Sequence, residues 1–236
     1  MTGFRRAAAH QTGEGDGICF SATPAGVRQG RAPADSAAWV EVHDSGHYAT
    51  PVPALAEAAP PRTLWFNAAM LALLLRGGLL VHAAGVELNG HGLLLAGVSG
   101  IGKSTLAAIL EAAFPACVLG DERIAVRPVD KRGWTLAGTP WSSTAGLARR
   151  RSAPLAALVF LEQAPVDALR PLPAAEALPR LLPLVSVDWA LPALADRGAG
   201  AMDALLASVP AFVFRFAKSP AAAQFLSTWA ETLVCR

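Results

Sequence analysis

The chain has 236 residues, a formal net charge of +2 and a hydrophobic content of 53%. This length and apolar content suit one large domain with a buried core, and the near-neutral charge excludes a protein whose main partner is nucleic acid. The three cysteines, Cys19, Cys117 and Cys235, match no metal-binding spacing. We therefore expect reduced thiols in a cytoplasmic protein, and no signal peptide is predicted because the N-terminus lacks an apolar stretch.

Two regions of different composition are predicted. Residues 1–60 are rich in Gly, Ala, Pro and polar residues, which favours a small β-rich N-terminal region. Residues 61–236 are predicted to form the main domain. Its first apolar run, residues 64–75, is too short to span a membrane and ends at Arg76. We therefore predict a buried helix over residues 67–76 and no membrane partner.

A hairpin is predicted next. Residues 79–88 predict one strand, whose apolar run is interrupted by His82. On spacing alone, such a histidine is more often a hydrogen-bonded core residue than a catalyst. Residues 89–92 (Asn-Gly-His-Gly) are typical of a turn, and residues 93–96 predict a second apolar strand. The two strands are expected to pair and to lead directly into the glycine-rich residues 97–104.

Residues 97–104 match the phosphate-binding pattern G-x-x-x-x-G-K-[ST], and residues 103–113 have the composition of a helix. Glycines let backbone N–H groups converge on phosphate oxygens, and the helix adds the positive end of its dipole. Lys103 is expected to reach the β- and γ-phosphates, and Ser104 to bind Mg²⁺. The predicted cofactors are ATP and Mg²⁺, with GTP and pyrophosphate left open as donors. The predicted nucleotide-binding residues are Gly97, Ser99, Gly100, Ile101, Gly102, Lys103, Ser104 and Thr105.

Two acidic residues follow the next apolar run. Residues 116–119 predict a short buried strand, Asp121 and Glu122 come just after it, and residues 124–126 continue as strand. A carboxylate at this point beside a phosphate loop binds Mg²⁺ or accepts the proton of an attacking hydroxyl; a solvated β-turn is the alternative. We assign Asp121 as the base and keep Glu122 as a second candidate for the base or the metal. The predicted metal ligands are thus Ser104, Asp121 and Glu122.

A polar loop and a basic cluster supply candidate substrate contacts. Ser142 lies in the loop predicted over residues 138–146, and Arg149, Arg150 and Arg151 follow it. Adjacent arginines can hold a phosphate or a carboxylate by charge-assisted hydrogen bonds. The alternative is a solvated basic turn. If the cluster is functional, we expect it to bind the acceptor.

The remaining elements complete an α/β pattern. Residues 155–161 predict a strand, residues 164–200 carry many prolines around short helical pieces such as 174–182, residues 211–216 predict a last strand, and residues 221–234 a C-terminal helix. Apolar strands interspersed with helices favour an α/β fold with a mixed sheet.

The block from residue 82 to residue 104 resembles the catalytic core of the bacterial HPr kinase/phosphorylase family. The shared features are a histidine-alanine strand, a glycine turn, an apolar strand and the phosphate loop; residues 120–123 (Gly-Asp-Glu-Arg) match the acidic strand end that follows. The resemblance covers residues 79–127. It implies a fold of the HPr kinase and phosphoenolpyruvate carboxykinase type, in which a histidine orients the acid or balances its charge. The implied catalytic residues are Asp121, Glu122, His82 and Lys103.

The chain also departs from that family. Glu122 stands where the family usually has aspartate, and the later glycine-rich signature linked with the phosphorylase reaction has no match here. The rest of the chain resembles the shorter HPr-kinase-related proteins of peptide natural-product clusters. Some of those phosphorylate a serine on a lasso-peptide precursor.

These resemblances imply an ATP-dependent kinase that phosphorylates a serine of a peptide or protein in peptide natural-product biosynthesis. We predict a serine at or near a peptide's C-terminus, with the carboxylate held by Arg149, Arg150 and Arg151. Two alternatives stay open: a kinase for a small hydroxyl compound such as free serine or a sugar alcohol, and a phosphate-loop NTPase switch that transfers phosphate to no acceptor. A homo-oligomer is compatible with the sequence.

Overall fold

The protein was analysed as a computed structural model, which describes residues 18–23, 26–31, 39–43, 48–49, 62–129, 133–143 and 145–233. Side chains are described from Phe66 onwards, except that of Ala68. Cys235 lies outside the described residues, and so does the side chain of Cys19. Cys117 is buried, and burial raises the pKa of its thiol to about 12, so it stays protonated at neutral pH.

Four strands within the first fifty residues form one antiparallel sheet, in chain order. They are β1 (Ile18–Thr23), β2 (Gly26–Arg31), β3 (Trp39–His43) and β4 (Tyr48–Ala49). The sequence of β3, Trp-Val-Glu-Val-His, is rich in the aromatic and β-branched residues that favour extended backbone. A domain boundary at residue 60 stays a prediction.

The rest of the described chain alternates between helices and strands. Its elements are α1 (Arg62–Leu75), β5 (Leu79–Val81), β6 (Ala83–Leu88), β7 (His91–Ala96), α2 (Lys103–Ala113), β8 (Val118–Gly120), β9 (Ile124–Pro128), β10 (Trp134–Gly138), β11 (Ser152–Gln163), β12 (Ala168–Leu172), α3 (Ala174–Leu181), a 3₁₀ turn (Leu182–Leu184), α4 (Pro192–Ser208), β13 (Ala211–Phe216) and α5 (Pro220–Ala230).

The strands from β5 onwards form one mixed sheet of nine strands. Seven of them lie in the order β5-β9-β10-β11-β7-β6-β8, while β13 pairs with β11 and β12 pairs with β13. The pairs β11–β7 and β11–β13 are parallel, and the other pairs are antiparallel. The predicted hairpin is present as β6–β7. The expectation of an α/β fold with a mixed sheet is confirmed at this level.

Helices cover both faces of this sheet. Along β7, Leu94 packs in one hydrophobic core while Leu93 and Leu95 pack in the other. The first core includes residues of α1, α3 and α4, and the second includes residues of α2 and α5. Successive side chains of a strand point to opposite faces, so the central strands supply both cores in turn. This explains why their sequences are apolar throughout.

Helix α1 contains most of the apolar run 64–75. Leu71 and Leu74 are buried, as expected for a helix of the interior. Among the described residues, no helix is both long and apolar enough to cross a membrane. The helix starts at Arg62, five residues before the predicted start.

The single strand predicted over residues 79–88 is wrong in one respect: it is two strands. β5 pairs with β9, whereas β6 pairs with β7 and β8. His82 stands at the break, and its backbone N–H donates to the Leu184 carbonyl at 2.7 Å instead of a strand of the sheet. The break moves the chain from one part of the sheet to another and places His82 at a strand end.

Candidate active site

The loop predicted to bind phosphate, called the phosphate loop below, connects β7 to α2, and its glycines adopt backbone conformations that other residues rarely do. Gly100 has φ +81° and Gly102 has φ +108°. Gly102 is also the residue before the first turn of α2, where a Cβ atom would come within 3.1 Å of Phe216 Cζ. A side chain there would meet both backbone strain and a neighbouring ring. The glycine spacing read from the sequence is therefore required by the geometry.

Lys103 begins α2 and is buried, with 6% of its surface exposed. Its Nζ donates to two carbonyl oxygens of the loop itself, Gly97 O at 2.7 Å and Val98 O at 3.2 Å. Burial lowers the pKa of this ammonium, and the negative charge of Glu122 acts in the opposite direction. The close partners of this cation are thus neutral, and phosphate oxygens could replace them.

A chain of polar contacts runs from the first turn of α2 to the acidic pair. Asp121 is almost fully buried. Its two carboxylate oxygens accept hydrogen bonds from Ser143, one from the backbone N–H at 2.9 Å and one from the hydroxyl at 2.5 Å. The Ser143 hydroxyl lies 3.4 Å from the Ser104 hydroxyl. Asp121 is therefore held on the Ser104 side of the site.

Glu122 has a different environment. Its side chain is 32% exposed, and its Oε1 lies 3.3 Å from His82 Nδ1 and 4.0 Å from Arg123 Nε. His82 Nδ1 is buried without an aligned hydrogen bond, so the 3.3 Å approach to Glu122 is a close contact that lacks hydrogen-bond geometry. Burial first, and then the charge of Lys103, lower the pKa of His82. A neutral imidazole beside a partly exposed carboxylate is the result.

The ends of two parallel strands hold the phosphate loop from the side. Gln163, the last residue of β11, donates its amide to the carbonyls of Gly100 at 3.3 Å and Ile101 at 3.0 Å. Lys218 follows β13, and its Cε lies 3.4 Å from the position that a Cβ on Gly102 would take. Apart from Lys103, a second lysine therefore lies close to the loop.

The structure brings together most of the residues predicted for the site. Ser104, the residue after Lys103, is linked to Asp121 through Ser143. His82 contacts Glu122, and the charge of Lys103 acts on the pKa of His82. Ser99 and Thr105 are exposed in the loop and the first turn of α2. Sequence reasoning named Ser142 but missed Ser143, the neighbour that contacts Asp121. The signal was the polar loop after β10, which offered two serines and no way to choose between them.

Two arginines of the predicted acceptor-binding cluster form ion pairs within the protein itself. The guanidinium of Arg149 pairs with Glu111 at 2.6 Å and donates to the Val118 carbonyl. That of Arg151 pairs with Glu87 at 2.7 Å and donates to a backbone carbonyl. Both guanidiniums tie this segment to the body of the domain, so neither is available as the predicted clamp for an acceptor. Arg150 is exposed.

The side-chain oxygens of the candidate site suit a metal ion that binds together with the substrate. Among the described residues, no group of three or more histidine, cysteine, aspartate or glutamate side chains could hold a metal ion. Mg²⁺ commonly binds through one or two protein oxygens and the phosphates of its nucleotide. The Ser104 hydroxyl and the Asp121 carboxylate, connected through Ser143, are oxygen donors of this kind.

Comparison with known proteins gave a family match and similarity to solved structures. A family model described as SynChlorMet cassette protein ScmC matches residues 65–190, just over half of the chain. No curated protein matches the sequence. Among solved structures, the chain is similar to the Hpr(Ser) kinase/phosphatase from Coxiella burnetii, at 15% identity and a TM-score of 0.38, over 64% of this chain and 93% of that one.

Proposed function

The chain belongs to the family described as SynChlorMet cassette protein ScmC, and we propose that it is an ATP-dependent kinase that phosphorylates a hydroxyl group. The observation that carries the proposal is the environment of Lys103. Its buried ammonium is bonded to neutral carbonyls of a glycine loop, and Glu122, the second of the two acids that follow β8, lies close enough for its charge to act on it. A phosphate site beside a partly exposed acid is the arrangement that phosphoryl transfer requires.

The donor side of the site uses the loop and the first turn of α2. Backbone N–H groups of the loop and the Lys103 ammonium would hold the phosphates of ATP. Ser104 and Asp121 would hold Mg²⁺, with Ser143 keeping the carboxylate in place. The ion would offset the negative charge of the phosphates.

The two acids are given different roles by their surroundings. Asp121 is buried and occupied by two hydrogen bonds from Ser143, whereas Glu122 is partly exposed beside His82. We therefore propose Glu122 as the base and Asp121 as the metal ligand, which exchanges the first assignment made from the sequence. The acceptor hydroxyl would give its proton to Glu122 as its oxygen bonds to the γ-phosphorus, and ADP would leave.

The acceptor is proposed to be a serine of a peptide or protein. Support comes from residues 82–104, whose sequence resembles that of kinases acting on a protein serine. The finer fold type, that of HPr kinase and phosphoenolpyruvate carboxykinase, is proposed on the same residues. The lasso-peptide precursor remains one candidate within the peptide class.

The experiment compares Glu122→Gln with Asp121→Asn in calorimetry with Mg-ATP and in a phosphoryl-transfer assay. We expect Glu122→Gln to bind Mg-ATP normally and to slow transfer by a factor on the order of 10². Asp121→Asn should weaken the dependence of binding on Mg²⁺. If Asp121→Asn alone abolishes transfer while Mg²⁺ binding is unchanged, the roles are reversed. Steady release of phosphate with every acceptor untouched would replace the kinase with an NTPase switch.

A further inference from the structure

A cavity of about 740 Å³ lies beside the candidate active site. Its walls are one side of α1, the neighbouring strands β5 and β9, and the segment Gly138–Trp141 after β10. Most of the lining residues are apolar, and several are small, for example Ala69, Ala72 and Ala125. This volume falls within the range of sites that bind small molecules or short peptide segments.

Two arginines lie together at one end of this cavity. Arg76 follows the last residue of α1 and Arg127 lies on β9. A Cβ atom built on Gly78 would be 3.3 Å from Arg127 Cβ, so the two chain segments are adjacent. Both arginine side chains are exposed, and no acidic residue is among the described residues that line the cavity. The Arg76 guanidinium donates from Nη1 to the carbonyl of Ala72 at 3.1 Å, which leaves its remaining N–H groups and the guanidinium of Arg127 for an anion.

The lining segment after β10 connects the cavity to the acids. Thr139, a lining residue, donates its hydroxyl to the Arg123 carbonyl at 2.6 Å. Two residues beyond the lining residue Trp141, Ser143 bonds to Asp121. Arg127 is four residues along the chain from Arg123, which corresponds to about 13 Å of extended strand.

We propose that this cavity binds the acceptor as an extended apolar segment whose carboxylate is held by Arg76 and Arg127. The segment would pass along the apolar walls and present its hydroxyl to Glu122, three or four residues before the carboxylate. This inference rests on the proposed kinase function and deepens it. The carboxylate and hydroxyl of free serine are too close together to reach both ends, because one residue spans only about 3.5 Å.

The carboxylate has two sources, a chain terminus or an acidic side chain, and the shared chemistry is bidentate binding by arginine. The probe is acetyl-Ser-Ala-Val-Leu with a free C-terminal carboxylate, titrated without nucleotide into the full-length protein by calorimetry. Its C-terminal amide is the matched control. A third peptide, acetyl-Ser-Ala-Val-Glu amide, tests the side-chain source.

We expect the free acid to bind at least tenfold more tightly than the amide, and Arg76→Ala or Arg127→Ala to abolish that difference. Arg170→Ala, an exposed arginine on β12 away from the cavity, should keep it. If an alanine variant does not fold, Arg76→Lys and Arg127→Lys replace it in this test. They keep the positive charge but lose the planar guanidinium that binds a carboxylate through two hydrogen bonds. Binding of the glutamate amide would assign the carboxylate to a side chain, and its failure to bind would assign it to the chain terminus.

Equal binding of acid and amide, or unchanged binding in both arginine variants, would overturn the cavity assignment. Failure of the kinase proposal gives a different pattern: the acid binds through the arginines, yet no phosphate is transferred from Mg-ATP. The reverse pattern, with transfer to the peptide at an unchanged KM in both arginine variants, would leave the kinase standing and remove the cavity. Among peptides that accept phosphate, the optimum spacing between serine and carboxylate should be three or four residues.

Discussion

The two ends of helix α2 both carry a charged side chain bonded to backbone, and they differ in how that charge is compensated. At the N-terminal end, Lys103 donates to the carbonyls of Gly97 and Val98. Near the C-terminal end, Glu111 accepts from the N–H groups of Ala116 and Val118, at 2.8 and 3.1 Å. Glu111 also receives two hydrogen bonds from Arg149, at 2.6 and 3.1 Å. One end therefore has a cation with neutral partners, and the other has a complete ion pair.

The pKa values of the two groups reflect this difference. Burial raises the pKa of Glu111, but the hydrogen bonds from Ala116, Val118 and Arg149 together outweigh it, so the net shift is downwards and the charged form is favoured. At Lys103, burial lowers the pKa, so the native state disfavours the charged form. We therefore expect the Lys103 charge to serve binding, as proposed above, and the compensated Glu111 charge to serve the fold.

The largest expected effect is at the N-terminal end. Lys103→Ala should reduce phosphoryl transfer by a factor on the order of 10³, because an ammonium that offsets phosphate charge is lost. The denaturation midpoint should fall little, since the hydrogen bonds of this cation go to neutral carbonyls and not to a carboxylate that would be left unpaired. Calorimetry with Mg-ATP and a denaturant titration measure the two effects. Full activity in this variant would contradict the phosphate-site assignment.

The opposite outcome is expected at the other end of the helix. Glu111→Gln should lower the free energy of unfolding by about 2 to 3 kcal/mol, because Arg149 loses its counter-charge and one of two backbone donors loses its acceptor. Transfer per folded molecule should stay near normal. Urea denaturation followed by tryptophan fluorescence gives the stability. Normal stability combined with lost activity in Glu111→Gln would contradict the structural role assigned to this end of the helix.

Two glycines before the N-terminal end of α2 differ in how much a side chain would cost. Gly102→Ala should cost about 2 kcal/mol, since φ is +108° and the new Cβ would lie 3.1 Å from Phe216 Cζ. The matched control is Gly100→Ala, at φ +81° with no atom within 4 Å of the new Cβ, for which about 1 kcal/mol is expected. Both values come from denaturant titration. Equal costs would show that the Phe216 ring moves aside freely.

A smaller effect of opposite sign is expected near Glu111. Ala116 has φ +67°, a left-handed conformation in which its N–H donates to Glu111. Ala116→Gly should therefore raise the free energy of unfolding by up to about 1 kcal/mol, because glycine adopts this conformation without a Cβ clash. A loss of stability would mean that the strain is already relieved in the native state.

The smallest expected effect depends on pH and concerns His82. Its pKa in the folded protein lies below the ordinary value of 6.5. As the pH falls through 6.5, the unfolded chain therefore binds a proton at this histidine that the folded protein does not yet bind. The free energy of unfolding declines as a result. The slope should stay below about 1.4 kcal/mol per pH unit, the limit for one proton. Denaturant titrations from pH 7.5 to pH 5 should show this decline in the native protein and a flatter profile in His82→Gln.

The phosphate loop and α2 could be predicted from the sequence because their signals are local. The glycine pattern, the lysine and the helix all lie within residues 97–113, and the helix bounds agree with the structure. The arginine cluster shows the opposite case. Arg149 pairs with Glu111, 38 residues earlier in the chain. No sequence feature near Arg149 indicates that partner.

Three elements were missed where local preference conflicts with tertiary packing. Helix α4 contains Gly198 and Gly200, which weaken a helix. A Cβ on Gly198 would come within 2.8 Å of Val187 Cγ2, so close packing explains that glycine. Strand β12 contains a proline and is largely exposed, and β10 is short and ends in glycine, so neither shows a clear alternating pattern. Segments of this kind are assigned only once their neighbours are known.

The contact of Gln163 with the phosphate loop has a thermodynamic consequence. Fixing the backbone of one residue costs about 1 to 2 kcal/mol of conformational entropy. Gln163 bonds to the carbonyls of Gly100 and Ile101, so the end of β11 restricts the backbone of the loop. Nucleotide binding then starts from a preorganised loop and loses less entropy than it would with a flexible one. If the loop binds a triphosphate as proposed, part of the affinity is therefore set by the end of a strand some sixty residues further along the chain.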